Sequence, residues 1–303
     1  MAGIIDNLKY RFDSAPTLKR LIYINVAVFV AIHLVSVVLM LFNISSTQWL
    51  SFVEVPSALN ILPFRVWTLF TYMFVHYDLS HILFNMIWLY WFGTIFLQYF
   101  SPKHLGTLYV LGGLAGAALY LISYNLFPYF ADKQGMMCGA SAAIMAVVFA
   151  TTIRVPEYKI NLMLIGTVSL KYIAAITILI DLLSMTSANA GGHFAHIGGA
   201  LMGVFFALYW SKGRDILQPI NNLIDKIVTF WHYPHIKIRR KAKKTPMGNT
   251  KTSYKRPETD GEYLARKKKE ADEIDRILDK VKKSGYTALT LEEKQRLFDA
   301  KKN

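Results

Sequence analysis

Gly139-Ala140-Ser141-Ala142-Ala143 opens one apolar run of this chain, and His193-Phe194-Ala195-His196-Ile197-Gly198-Gly199 opens another. Polar side chains that lie inside hydrophobic helices cost free energy, so at membrane depth they mark functional sites by default. A serine and a histidine that meet there are typical of a nucleophile and its general base. These two motifs therefore indicate a hydrolytic site carried by membrane helices.

The composition indicates several membrane spans. Of the 303 residues, 53% are hydrophobic and 14% are aromatic, above the usual share of a soluble domain. The single cysteine, Cys138, excludes an internal disulfide and a cysteine-rich metal site. The net charge of +14 is concentrated in the last third, so it belongs to a tail. The first apolar run begins near Leu21, is long and lacks a small-residue cleavage pattern, so no cleavable signal is expected.

Six apolar runs are predicted to be transmembrane helices, each of which needs about 20 residues. They cover residues 21–42, 79–100, 105–127, 138–154, 165–186 and 194–211. The run from Phe64 to Val75 is too short to span and is predicted to lie at the interface, in a long loop after the first span. The predicted fold is thus all-α: a polytopic bundle of six transmembrane helices with a small cytoplasmic helical tail.

Basic residues predict the orientation of these spans. They precede the first span, lie in the second and fourth connections and follow the sixth span; those before the tail are Lys9, Arg11, Lys19, Arg20, Lys103, Arg154 and Lys159. By the positive-inside rule both termini are cytoplasmic. Spans two, four and six then run from outside to inside, so the polar residues near their starts lie at one external depth.

Those polar residues suit acyl transfer. Ser141 can attack a carbonyl, and His196 can take the proton and later return it. His81 and Asn85 are four residues apart on one helical face, so both can donate hydrogen bonds to an oxyanion. No carboxylate that orients His196 is evident, and Asp181 in the fifth span has no assigned partner, so a Ser-His dyad is predicted.

Small residues are predicted to bring the two helices together. Gly199 and Gly203 form a small-xxx-small pair on the sixth span, and Gly139 with Ala143 forms another on the fourth. Such pairs let helix backbones approach closely in lipid. The nucleophile is therefore expected within reach of its base.

The chain resembles the rhomboid intramembrane serine proteases. The resemblance covers about residues 20–211 and is carried, in the family's order, by His81-Ile82-Leu83-Phe84-Asn85, Gly139-Ala140-Ser141 and Ala195-His196-Ile197-Gly198-Gly199; Phe64-Arg65-Val66-Trp67 also looks like the close of the family's first loop. It implies that Ser141 is the nucleophile, His196 the general base, and His81 and Asn85 the oxyanion donors. It also implies no catalytic acid, no metal and no organic cofactor.

Two positions depart from the family's pattern. Ala142 stands where the family usually has a glycine after the nucleophile, and we expect activity to survive because alanine suits a helix. Met145 stands where bacterial members often have a tyrosine stacked on the histidine. Since methionine packs less rigidly, we expect lower activity or a differently held His196.

The remaining chain is predicted to be a cytoplasmic tail. The domains are an N-terminal segment at 1–20, the six-span core at 21–211, an amphipathic and polybasic linker at 212–260 and a helical hairpin at 261–303. The linker's basic stretch, 237–244, is expected to bind anionic inner-leaflet lipids; nucleic-acid binding lacks a recognition motif. The hairpin's first helix is predicted to end near Ser284-Gly285, and a capping box joins Thr290 to Glu293.

The sequence thus predicts an intramembrane serine endopeptidase of a bacterial inner membrane. It would cleave single-span membrane proteins near the external face. Three alternatives remain open: a catalytically silent relative that binds membrane helices, a transporter, for which the internal repeats are missing, and a metal site built from four histidines, His76, His81, His193 and His196. The sequence does not determine the substrate or the oligomeric state.

Overall fold

The computed structural model describes residues 4–45, 49–162, 166–187, 189–232 and 260–300. The chain divides into two compact units, Met1–Pro234 and His235–Asn303.

Helices dominate the first unit. The first five helices are α1 (Ile4–Ser14), α2 (Thr17–Leu41), the single turn α3 (Thr68–Thr71), α4 (Leu79–Tyr99) and α5 (Pro102–Leu126). They are followed by α6 (Ser141–Arg154), α7 (Leu170–Leu183), α8 (Ala190–Ser211) and α9 (Gln218–His232). Two small antiparallel sheets join parts of the loops: β1 (Val55–Pro56) pairs with β2 (Met136–Met137), and β3 (Lys159–Leu162) pairs with β4 (Gly166–Ser169).

Within the described residues, four helices are long and apolar enough to cross a membrane, namely α2, α4, α5 and α8. They lie at the predicted first, second, third and sixth spans, so the chain is an all-α polytopic membrane protein. The predicted fourth and fifth spans coincide with α6 and α7, which have 14 residues each. At 1.5 Å per residue each is only about 21 Å long.

The predicted start of the fifth span is wrong. Residues 166–169 form β4 instead of helix, because they pair with β3 from Lys159↔Ser169 to Leu162↔Gly166. Gly166 has φ +85°, a conformation that suits the turn end of a hairpin better than a helix. The apolar run from Phe64 to Val75, predicted to lie at the interface, is only partly exposed. Phe64 and Phe70 are exposed, whereas Tyr72 and Met73 near its end are buried in the core.

α6 lies at the centre of the first unit, with α5 and α8 packed closely against it. A Cβ atom added to Gly199 or Gly203 of α8 would overlap the carbonyl oxygen of Ala142 or Ala146 on α6. From the other side, a Cβ on Gly116 of α5 would lie 2.5 Å from the Ala142 Cβ. The predicted close approach is confirmed for Gly199 and Gly203, and it fixes the start of α6 against α8; the predicted role of Gly139 in helix packing is wrong, because Gly139 precedes α6 and lies against His81.

α9 is attached to the start of α5 by polar contacts. Lys103 forms an ion pair with Asp225 at 2.7 Å, and the Thr107 hydroxyl donates to the Asn221 amide oxygen. His104 Nε2 lies 2.8 Å from Asp215 Oδ2 in the turn before α9. Burial raises the pKa of Asp215, but the hydrogen bonds from His104 and from two backbone N–H groups outweigh it, so the pKa lies below its ordinary value.

The apolar side chains of α9 are largely exposed. They are Leu223, Ile224, Ile227 and Val228. An amphipathic helix with an exposed apolar stripe is typical of a segment that lies in a membrane interface. The predicted polybasic stretch that follows, 237–244, lies outside the described residues.

The second unit contains a helical hairpin. α10 (Asp260–Ser284) ends before Gly285, whose φ of +76° requires a residue that tolerates the left-handed region. A 3₁₀ turn, Tyr286–Ala288, leads to α11 (Leu291–Ala300). Ile277 on α10 and Leu289 just before α11 are both buried. The predicted helix stop is confirmed.

The capping box of α11 is also confirmed. The Thr290 N–H donates to Glu293 Oε2 at 2.8 Å, and the Glu293 N–H donates to Thr290 Oγ1 at 3.2 Å. Lys280 and then the Thr290 N–H hold the pKa of Glu293 below its ordinary value. A lowered folded-state pKa favours the folded form above the unfolded pKa, and the effect is lost as pH falls through the folded value. The box is therefore fully formed at neutral pH.

Substitution at Gly199 tests the close packing of α6 and α8. We expect Gly199→Ala to lower the free energy of unfolding by about 1–3 kcal/mol or more, because the new methyl group meets a backbone carbonyl that cannot rotate away. Gly106→Ala is the matched control, since its Cβ would lie 3.5 Å from Thr17 Cγ2, an ordinary contact. Thermal unfolding in detergent measures both. Equal melting temperatures for Gly199→Ala and the wild type would contradict the packing.

Substitution at Thr290 tests the capping box. Thr290→Ala removes the hydroxyl that accepts the Glu293 N–H, so the opening free energy of α11 is expected to fall by about 1 kcal/mol. Thr290→Ser keeps a hydroxyl and serves as the control. Hydrogen exchange of the full chain at neutral pH, read on peptides from 286–300, measures the change. Unchanged exchange in Thr290→Ala would show that the cap contributes nothing.

Candidate active site

The predicted nucleophile and base are in contact. Ser141 is the first residue of α6, His196 lies in the second turn of α8, and His196 Nε2 is 2.7 Å from Ser141 Oγ. The glycine contacts between α6 and α8 bring these two helix starts together. For Nε2 to accept the serine proton, the proton of the neutral ring must sit on Nδ1.

A carboxylate holds the other ring nitrogen of His196. Asp181 Oδ1 of α7 lies 2.8 Å from His196 Nδ1, and His193 Nδ1 lies 2.8 Å from the same oxygen. The sequence-based expectation that no carboxylate orients His196 is therefore wrong. Asp181 precedes His196 by 15 residues and belongs to another helix. The pairing is therefore visible only in the tertiary structure, where α7 and α8 pack together.

His81 lies over the backbone that leads into Ser141. Gly139 has φ +117°, and a Cβ there would lie 2.9 Å from His81 Cε1 and 3.0 Å from His81 Nε2. Glycine is thus required at this position twice, by its backbone conformation and by the ring above it. The imidazole of His81 therefore lies against the backbone that leads into Ser141.

Two backbone N–H groups before Ser141 are held by residues of the first loop. The Gly139 N–H donates to the Tyr72 carbonyl at 2.9 Å, and the Ala140 N–H donates to His76 Nε2 at 3.3 Å. Burial, and then the nearby His81, lower the pKa of His76 to about 4, so the ring is neutral and can accept. This positioning of the motif by His76 was missed in the sequence, where His76 was considered only as a metal ligand.

Asn85 lies one turn after His81 on α4. Its side chain is buried, and its Nδ2 donates to the His81 carbonyl at 2.9 Å. One amide hydrogen remains for another acceptor. Asn85 and His81 both line the cavity that contains Ser141 and His196.

That cavity has a volume of about 880 Å³ and lies among α4, α6, α7 and α8. Ser141, His196 and further polar side chains line it together with apolar ones, among which are Phe84, Trp88, Met145 and Ile180. The methyl group of Ala142 faces Gly116, which explains how this position accepts alanine. A mixed apolar cavity with a few convergent polar groups is typical of a ligand or substrate site.

Three side chains of the cavity could hold a metal ion. Within the described part of the chain, the ligand atoms of Asp181, His193 and His196 all lie within 4.8 Å of one another. His76 and His81 do not belong to this group, so the site of four histidines considered in the sequence does not form. The hydrogen bonds between the same three residues account for their positions without an ion.

Known proteins resemble this chain over about half of its length. RHOMBOID-like protein 12 from mitochondria of Arabidopsis thaliana is 32% identical over 161 residues, which cover 50% of this chain and 47% of that protein. The mitochondrial presenilin-associated rhomboid-like protein A of Danio rerio is 28% identical over 163 residues, 52% of this chain and 40% of that protein. Rhomboid protease GlpG of Salmonella paratyphi A is 29% identical over 147 residues, 48% of this chain and 49% of that protein.

The chain thus spans about half the length, or less, of these curated relatives. A model of a family of unknown function, DUF6576, matches residues 258–300, which contain the hairpin of the second unit. The model of the rhomboid domain matches residues 63–213, from the first loop to the end of α8, and includes every site residue described above. The chain belongs to the rhomboid family.

Proposed function

We propose that this chain is an intramembrane serine endopeptidase that cleaves single-span membrane proteins within or beside their transmembrane helices. The observation that carries the proposal is the 2.7 Å contact between His196 Nε2 and Ser141 Oγ, inside a cavity framed by apolar helices. This contact is the one that nucleophilic catalysis by a serine requires. The family relationship supports the same chemistry.

Ser141 Oγ would attack the peptide carbonyl while His196 Nε2 takes its proton. The tetrahedral intermediate collapses when His196 returns that proton to the leaving amine, and an acyl-serine remains. A water molecule, deprotonated by His196, then attacks the acyl carbon, and the serine regains its proton as the new carboxyl group leaves. No metal or organic cofactor takes part in this scheme.

The oxyanion would be held by His81, Asn85 and the Ser141 N–H. The His81 ring lies over Gly139 beside the nucleophile, and Asn85 lines the same cavity. The Ser141 N–H belongs to the first turn of α6, where backbone donors are free and the helix dipole favours negative charge. Donors that are already in place lower the barrier because they need no rearrangement.

The substrate would enter as a locally unwound helix. A peptide bond inside an intact helix is shielded by its own hydrogen bonds, so small or helix-breaking residues near the cut are expected to favour cleavage. By the positive-inside rule, both termini would be cytoplasmic and the cavity would face the external side of a bacterial inner membrane. The basic tail would bind anionic inner-leaflet lipids.

A catalytically silent, helix-binding relative is the second candidate. It would need neither a nucleophile nor a base, and a substitution of Ser141 or His196 would cost it nothing. Both residues are present and are hydrogen bonded to each other. This geometry favours the enzyme.

Loss of either partner is expected to abolish cleavage. Ser141→Ala and His196→Ala should each lower kcat/KM by about 10³-fold or more, because nucleophile and base act as one unit. Ser211→Ala is the control, since its hydroxyl donates to the Ala207 carbonyl at the far end of α8. The assay uses purified protein in liposomes with a single-span reporter. If Ser141→Ala cleaved the reporter as fast as the wild-type protein, this site would be excluded. If the wild-type protein did not cleave, the binding-only candidate would be favoured.

Substitution of the oxyanion donors is expected to act on kcat. His81→Ala and Asn85→Ala should each lower kcat by about 10²–10³-fold with little change in KM, because the donors bind the transition state better than the substrate. Leu83→Ala is the matched control, since Leu83 is exposed on the same helix. The same reporter assay gives both constants. A rise in KM at constant kcat would assign these residues to substrate binding instead.

A further inference from the structure

We infer that Asp181 is a positioning residue that fixes the orientation and tautomer of His196, and that His193 holds Asp181 for this task. The inference rests on the proposed function, since it concerns how the base is prepared. It replaces a two-residue site by a chain of contacts that runs from His193 through Asp181 and His196 to Ser141.

The direction of the hydrogen bonds to Asp181 fixes where the two histidine rings carry their protons. Asp181 Oδ1 lies 2.8 Å from the Nδ1 atom of His193 and 2.8 Å from that of His196. A carboxylate oxygen only accepts, so both rings must carry a proton on Nδ1. The neutral His196 ring then presents a lone pair at Nε2 to Ser141, which is the tautomer that a general base needs.

The carboxylate of Asp181 is buried within α7. α7 turns most of its large apolar side chains outward, with Leu179 53% and Leu183 72% exposed, whereas Asp181 is only 3% exposed. Burial of a carboxylate costs several kcal/mol unless charged or polar partners compensate. An apolar residue would fill this position at lower cost, so packing alone does not explain a carboxylate there.

A second histidine, His193, also contacts Asp181. His193 and His196 are three residues apart on α8, so their rings leave the same side of the helix and reach one oxygen of α7. Both histidines donate to Oδ1 of the carboxylate, so His193 helps to hold the oxygen that contacts His196.

The negative charge of Asp181 also acts on His196 during the reaction. When His196 takes the serine proton its ring becomes a cation, and the Asp181 carboxylate on the opposite nitrogen stabilises it. Such a contact is stronger at a partly buried site than in bulk water. The carboxylate keeps its own charge throughout, so no proton needs to pass to it.

Asp181→Asn tests the inference. The variant keeps the volume and an oxygen acceptor, but it removes the charge and adds an N–H₂ that favours the wrong tautomer of His196. We expect kcat to fall by about 10²–10⁴-fold, as in serine hydrolases with a buried aspartate, while KM stays within about twofold. The rate at which a fluorophosphonate labels Ser141 should fall in parallel. His193→Gln should give a smaller loss of kcat, because one of two donors is removed.

Asp215→Asn is the matched control. Asp215 also accepts from a histidine, His104, at 2.8 Å, but it lies in the turn between α8 and α9, away from Ser141. We expect wild-type kcat and labelling for this variant, whatever happens to its melting temperature. All assays are run with and without EDTA, so that an effect of a divalent cation bound by the cluster of Asp181, His193 and His196 is detected.

The outcomes separate the inference from the proposed function. Lower kcat and labelling in Asp181→Asn, with unchanged melting temperature and KM, support a positioning role. An active wild type together with fully active Asp181→Asn overturns the inference but leaves the protease intact. A lower melting temperature with unchanged kcat of the folded fraction also overturns it, in favour of a structural tether. Loss of wild-type cleavage on addition of EDTA assigns the cluster to a metal instead. A wild type that neither cleaves nor reacts with the probe contradicts the proposed function itself.

Discussion

The close contact of α6 with α8 is the constraint on which the rest of the site depends. Gly199 and Gly203 leave no space between their backbone and the carbonyl groups of Ala142 and Ala146. In lipid, where apolar side chains gain little by association with one another, such backbone proximity and the packing it permits hold helices together. It also sets the geometry of catalysis, because α6 starts at Ser141, His196 lies in the second turn of α8, and the two side chains meet at 2.7 Å.

Around that contact, polar groups are concentrated at one end of an apolar bundle. His81, His76 and Asp181 each reach His196 or the backbone before Ser141, and His193 reaches Asp181. Buried polar groups are costly when unpaired, so these contacts stabilise one another, although Asp181 Oδ2 is buried without a hydrogen-bond partner among the described residues. The nucleophile, the base and the residues before Ser141 are thus positioned by groups from different parts of the chain. This pre-organisation is the main physical requirement of the proposed reaction.

The second unit follows other rules. Its hairpin depends on local signals, a left-handed glycine and a capping box, and on the burial of Ile277 and Leu289. Such signals act over three or four residues and need no large core. They were therefore visible in the sequence, and the structure has them at the expected residues.

The sequence by itself determined what depends on local pattern. Runs of apolar residues gave the long helices α2, α4, α5 and α8, and the glycine spacing of Gly199 and Gly203 indicated the close approach. The motifs indicated Ser141, His196, His81 and Asn85 as site residues and the predicted orientation gave them one depth; in the structure all four line one cavity. What only the tertiary structure decided depends on contacts between elements. Asp181 meets His196 because α7 folds back on α8, His76 meets the Ala140 N–H because the first loop returns to the core, and β4 replaces a helix because β3 is beside it. The reason is physical: hydropathy and spacing report the environment and the face of a residue, whereas its partner across the bundle is chosen by packing.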